Sequence, residues 1–276
     1  MRSSAARLPA ILVAAALMLS GCSLDALRAG SIAEAKVLPL DQPNNWLPGL
    51  VGLPDFAASG LGPVGYPNVV ATSTELDPTQ EFLAAIGLQA SDFSTEATIQ
   101  LIRQGDTLAG ATLDFCGGVY ESEDLRLARR QVVAIGSDGN PLGFSSEAVQ
   151  YESPEAAQQA IDEMVAQKLK CPSGTSYTAD DGVSYELNFY PAPGPAATIL
   201  VPAKQRVILN MTKTSTTSKS ANFLALQIRG NTLLAIYASM VSDSQFDQTT
   251  LDSLFGLVSA TTQRLLDASP EDIGQF

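Results

Sequence analysis

Three cysteines carry most of the covalent chemistry that can be read in this chain. Cys22 closes the tetrapeptide Leu19-Ser20-Gly21-Cys22, behind the basic residues Arg2 and Arg7 and the apolar run from Ile11 to Leu19. A basic start, a short apolar core and small residues before a cysteine describe an export signal whose cysteine is acylated and becomes the new N-terminus. The apolar stretch from Leu8 to Leu19 falls short of the roughly 20 residues that span a bilayer, which makes a transmembrane helix the poorer reading. Residues 1–21 are expected to be a lipoprotein signal peptide, with Cys22 holding the chain by acyl groups to the outer face of the cell membrane. Cys116 and Cys171 then remain as an even pair in an exported protein, which predicts one disulfide between them. A pair of free thiols or a redox couple is the competing reading, although neither residue lies in a Cys-x-x-Cys motif.

Other reactive groups are scarce. The 276 residues contain no histidine, which removes Ser-His-Asp and Cys-His catalysis and every histidine-based zinc site. Cys116-Gly117-Gly118 has the look of an oxyanion-forming loop, but no base is present to activate the thiol, and a disulfide beside glycines accounts for the same residues. Asp114, Glu121, Glu123 and Asp124 could form an acidic cluster for a cation or a carboxylate pair for glycoside hydrolysis; a solvated loop is the plainer reading. Asp138-Gly139-Asn140 lacks the carboxylates that would complete a calcium loop and reads as a turn. Arg126, Arg129 and Arg130 are the densest basic group in an acidic protein and form the candidate ligand-binding residues, suited to an anionic group or a partner's carboxylates. Solvent-facing strand arginines are the bland alternative. The net charge of −13 falls to −15 once Arg2 and Arg7 leave with the signal, a surface that repels nucleic acid. No cofactor, metal or catalytic residue is expected.

The elements that must position these residues follow from periodicity. Residues 22–74 are rich in Pro and Gly, with Leu38-Pro39, Leu47-Pro48, Leu53-Pro54 and Gly62-Pro63 among many such pairs, and read as a tether. The domain, 75–270, opens at Asp77-Pro78, a cap followed by proline at the first helical position, with Phe82, Leu83 and Ile86 inward and Gly87 as the stop. Thr98–Arg103 and Ala111–Phe115 are expected to pair as a hairpin around Gly105-Asp106. Arg126–Ile135 and Phe144–Tyr151 form a second hairpin. Ser153-Pro154-Glu155 opens a helix whose Ala157, Ala160, Ile161 and Met164 lie on one stripe. That stripe carries Cys171 inward at the helix end, within reach of Cys116. Strands follow around Tyr185–Phe189 and Arg206–Thr212, then a tight hairpin at Gly230-Asn231. A last helix, from about Phe246 to Leu266 with Asp243 as cap, completes the order. The prediction is a single α+β domain with a twisted antiparallel sheet and helices packed on one face.

Leu113-Asp114-Phe115-Cys116-Gly117-Gly118, Ser122-Glu123-Asp124-Leu125-Arg126, Ala128-Arg129-Arg130-Gln131-Val132, Glu147-Ala148-Val149-Gln150-Tyr151 and Lys170-Cys171-Pro172 together carry a resemblance. The chain resembles a group of actinobacterial exported proteins similar to the extracellular sensor domain of the mycobacterial kinase PknH. That resemblance implies a twisted antiparallel sheet with helices against it, a ligand-binding cleft and no catalytic residues. This chain departs from the kinase sensor in offering one candidate disulfide where the sensor has two, and in reading without a kinase domain.

Taken together, these residues lead to the expectation of a non-enzymatic, lipid-anchored envelope protein that binds an unknown small ligand or an envelope protein through a cleft between sheet and helices. Its membrane contact is the acyl anchor at Cys22, and nucleic acid is not a partner. The alternative is a carrier of lipids or glycolipids with an internal apolar cavity; composition does not separate a hollow core from a filled one.

Overall fold

The computed structural model describes residues 76–93, 97–102, 104–136, 143–178, 183–192, 201–216 and 218–274. The signal peptide, Cys22, the tether and the Asp138-Gly139-Asn140 turn lie outside these residues. Helix α1 (Pro78–Ile86) is followed by strands β1 (Ala97–Leu101), β2 (Arg126–Gly136) and β3 (Gly143–Tyr151), then helix α2 (Pro154–Lys170). Strands β4 (Thr175–Thr178), β5 (Ser184–Tyr190), β6 (Arg206–Thr214), β7 (Lys219–Arg229) and β8 (Thr232–Val241) precede helix α3 (Gln248–Asp267). All eight strands form one open antiparallel sheet in the order β1-β2-β3-β8-β7-β6-β5-β4. This is the α+β architecture that the pattern of elements predicts.

Local chemistry explains where the helices begin. Asp77 accepts the Gln80 N–H at 2.8 Å, and Ser153 accepts that of Ala156 at 3.2 Å, each ahead of a proline that could not have donated. Helix α3 starts two residues later than expected. Its cap is Asp247, whose Oδ1 accepts the Thr250 N–H at 2.8 Å, and not Asp243. Phe246, on the residue before the cap, is buried in the same apolar cluster as Leu251 in the next turn, a pairing that fixes how the chain enters the helix.

The helices cover both faces of the sheet, contrary to the expectation of one. Along β7, Leu224, Leu226 and Ile228 pack on the side of α2, with Ala157, Ile161 and Met164. Ala221, Phe223 and Ala225 point the other way, against Leu254, Phe255 and Val258 of α3. Helix α1 shares that second face through Leu83 and Ile86, which meet Leu265 of α3 over Ala148 and Leu234. Central strands buried on both faces lose polar–apolar alternation and read as continuous apolar runs. Each leucine-sized side chain buried this way is worth about 1.5–3 kcal/mol.

The expected pairing of 98–103 with 111–115 does not form. Strand β1 takes the edge of β2 instead, in the register Ile99↔Ala134 and Leu101↔Val132. The segment around 111–115 crosses the α2 face as irregular chain, burying Leu113 and Phe115 and giving the Thr112 and Leu113 N–H groups to the Glu123 carboxylate at 2.8 and 2.9 Å. It ends at Cys116, whose φ of 56° turns the chain, and Cys116 is joined to Cys171 at the end of α2. Closing a loop with a sequence separation of 55 contributes about 4 kcal/mol in the chain-entropy model.

Candidate functional site

The three arginines start from one stretch of β2 and finish in two different places. The register between β2 and β3 shifts between Arg126 and Ala128, so Leu127 is left exposed while Arg126 and Arg129 both turn toward α2. Arg130, one residue on, faces α1 across the sheet. The structure therefore does not bring the three together as a basic patch, and all of them are buried.

Arg126 and Arg129 are consumed by a buried polar network. The Arg129 Nε donates to Glu147 Oε1 and one terminal nitrogen donates to Gln131 Oε1. Both side chains of the Arg129–Glu147 pair are fully buried. Thr112 donates its hydroxyl to Glu147 Oε1 at 2.8 Å, and Tyr237 donates to Oε2 at 3.0 Å. The Thr112 oxygen in turn accepts from Arg126 at 3.0 Å, and Arg126 also donates to the Gly110 carbonyl at 2.7 Å and pairs with Glu123 at 3.1 Å. Every oxygen of Glu147 is engaged, so this carboxylate is not placed to give or take a substrate proton. Burial, with the Glu147 charge beside it, pushes the Tyr237 hydroxyl well above the usual phenol range. Desolvation does the same for Tyr120 and Tyr151. The network's role is to let a sheet bury two charges that would be costly alone.

Glu147 carries no motif, and sequence reasoning did not single it out. Its one signal is position: it shares an inward parity on β3 with Val149 and Tyr151, where a charge needs a partner. Among the acidic residues that did stand out, Glu123 is spent on backbone N–H groups and Arg126. Among the described residues, no group of three or more Cys, Asp or Glu could hold a metal ion.

Arg130 has a different environment. It lines a cleft of about 60 Å³ between α1 and the sheet, with Leu83, Leu88, Ile99, Val132 and Ser146 among the walls. Only 8% of the residue is exposed, yet its Nε has no hydrogen-bond partner, and one terminal nitrogen reaches Gln80 Oε1 at a long 3.4 Å. Desolvation lowers its pKa, opposed by Asp106. The walls are fixed from outside. Ser146 Oγ accepts the Leu88 N–H at 2.8 Å. Arg264 of α3 holds the Gly87 carbonyl at 2.7 Å and grips Asp92 through two bonds at 2.8 and 2.7 Å. Gln80 donates to the Arg129 carbonyl at 3.1 Å, tying α1 to β2 beside the cleft. Pockets for drug-sized ligands run to roughly 300–1,000 Å³, so this space suits a small molecule with one polar group and not a long acyl chain.

Fold and cleft define an α+β domain with a small cationic recess and no visible catalytic constellation among the described residues. No protein-family model matches the chain, and no curated protein does. Among solved structures it is similar to the extracellular domain of PknH from Mycobacterium tuberculosis, with 10% identity, 67% of this chain and 96% of that one covered, and a TM-score of 0.41. The Rv0999 ortholog from Mycobacterium smegmatis matches at 11% identity over 50% of this chain and 63% of the other, with a TM-score of 0.27. At these scores neither likeness carries an argument about function.

Proposed function

We propose that this chain is a non-catalytic envelope protein, anchored through Cys22, that binds a ligand in the cleft between α1 and the sheet. The observation that carries the reading is Arg130, a buried guanidinium with an unpartnered Nε lining a recess. A buried donor left unsatisfied costs about 1–3 kcal/mol, and a ligand atom that supplies the acceptor recovers it. The network around Glu147 supports the non-catalytic part, because its charged groups are satisfied internally. Exported location and acyl anchorage are supported by the Leu19-Ser20-Gly21-Cys22 signal and by the cysteine pair at Cys116 and Cys171.

The test is mass spectrometry of small molecules extracted from full-length protein purified from its own membranes. A stoichiometric compound present with the parent protein and absent from a folded Arg130→Met variant is the expected result. An equal amount in both, or no compound in either, refutes the reading. A stoichiometric lipid would favour the carrier alternative. Separately, Cys22→Ala should release the protein from the membrane fraction, and retention there would defeat the anchor.

A further inference from the structure

We infer that the Arg130 cleft is a site for the carboxylate of a small aliphatic monocarboxylic acid. This assignment rests on the ligand-binding reading of the same cleft and names the chemistry of its occupant. Among the described residues no ion pair involves Arg130; Asp106 acts on its charge only from beyond pairing distance. Its buried Nε has no acceptor, and its side chain lines the recess. Ser146 supplies a second donor. Its oxygen accepts the Leu88 N–H, which leaves the hydroxyl proton to be given to an anion. Gly87 leaves the space beside that hydroxyl open, since a Cβ there would sit 3.1 Å from Ser146 Oγ.

Charge and size select among anions. One guanidinium balances one negative charge, whereas a phosphate dianion would bring a second charge and further oxygens into walls formed by Leu83, Leu88, Ile99 and Val132. A planar carboxylate matches a guanidinium edge-on. The volume of about 60 Å³ is about twice a water's share of the liquid, enough for the carboxylate and its first carbons. The apolar body of the acid then lies against the leucine and isoleucine side chains. The recess is preorganised by the Arg264 clamp on Gly87 and Asp92, so binding does not have to order its walls.

The experiment titrates full-length protein in non-ionic detergent with isovalerate, with uncharged isovaleramide and with inorganic phosphate. Calorimetry reads affinity, and methyl NMR of Leu83, Leu88 and Ile99 reads occupancy of the cleft. Isovalerate should bind saturably, one per chain, and shift those methyls. Arg130→Met should weaken it at least about tenfold, equivalent to about 1.4 kcal/mol. Ala84→Leu fills the recess while keeping the arginine, and should weaken it as much in a variant whose charge is intact. Isovaleramide or phosphate moving the same methyls as strongly as isovalerate would overturn the carboxylate assignment and leave the cleft standing as a ligand site. Isovalerate binding that neither variant weakens would overturn it too. Silence of these methyls toward all three probes overturns the assignment, and the extraction experiment then decides whether the underlying reading falls with it.

Discussion

The buried pair Arg129–Glu147 sets up the sharpest prediction. Replacing Glu147 with Gln keeps the shape and one acceptor but strands the Arg129 guanidinium, whose side chain has no exposure at all. Removing one partner of such a pair costs about 3–5 kcal/mol, because a charge is left uncompensated out of water. For a domain of this size each kcal/mol lowers Tm by about 2–4 °C, so the loss should be roughly 6–20 °C. In urea, with a slope of about 2–3 kcal/mol/M, the midpoint should fall by roughly 1–2.5 M. The double variant Arg129→Met, Glu147→Met removes both charges, and apolar replacement of a whole pair is often close to neutral. It should therefore be more stable than Glu147→Gln alone. Tyr237→Phe deletes one donor to the carboxylate and should cost about 1.5–3 kcal/mol. Urea melts with the disulfide intact, set out as a double-mutant cycle, measure all of these. A loss below about 1 kcal/mol for Glu147→Gln, or a double variant as unstable as the single, would refute the argument that this pair is buried and coupled.

Peptide mapping without reductant should show Cys116 joined to Cys171, and Cys116→Ser with Cys171→Ser should cost about 4 kcal/mol in urea melts; free thiols at both positions in the exported protein would contradict this. Gly230→Ala should destabilise by more than about 2 kcal/mol, since φ is 56° and the new Cβ would lie 2.1 Å from the Ile273 carbonyl; a thermal melt unchanged from the parent would count against the packing of the C-terminal segment on that turn. Arg264→Met should lower stability by about 2 kcal/mol by leaving Asp92, only 5% exposed, without its partner, and should also weaken any cleft ligand; an unchanged affinity would show that the clamp does not shape the recess. Tyr120, Tyr151 and Tyr237 all have folded pKa values raised by burial. The stability tied to these protons is present below about pH 10, where unfolded tyrosine ionises, and is lost as pH rises from there toward the folded values. Phenolate absorbance should therefore show Tyr120, Tyr151 and Tyr237 un-ionised until the chain unfolds, and their titration in the folded protein near pH 10 would overturn their burial.

Several elements were readable because their causes are local. Asp77-Pro78 and Ser153-Pro154 announce helix starts through side chains that cap the next turn. Gly230-Asn231 marks a hairpin because its backbone needs a positive φ. The spacing of Ala157, Ile161 and Met164 places Cys171 inward, toward Cys116. The last helix was found but entered two residues early, because Asp243 and Asp247 are equally good caps until Phe246 is seen to be buried. The 111–115 segment alternates like a strand, yet the edge it would have used belongs to β1, a competition between distant segments that no window of sequence contains.

By itself the sequence determined the α+β class, the helix caps, the cysteine pair and the histidine-free, acidic character that excludes whole families of chemistry. Tertiary structure alone decided that helices lie on both faces, since a strand buried on two sides shows no alternation to reveal it. It also decided the fate of Arg126, Arg129 and Arg130. A one-residue shift at Leu127 turns two of them into partners for Glu123 and Glu147, and the pleat sends the third to an apolar cleft where it makes no ion pair among the described residues. Which arginines are spent on internal partners and which one lines a cleft therefore depends on strand register and long-range packing.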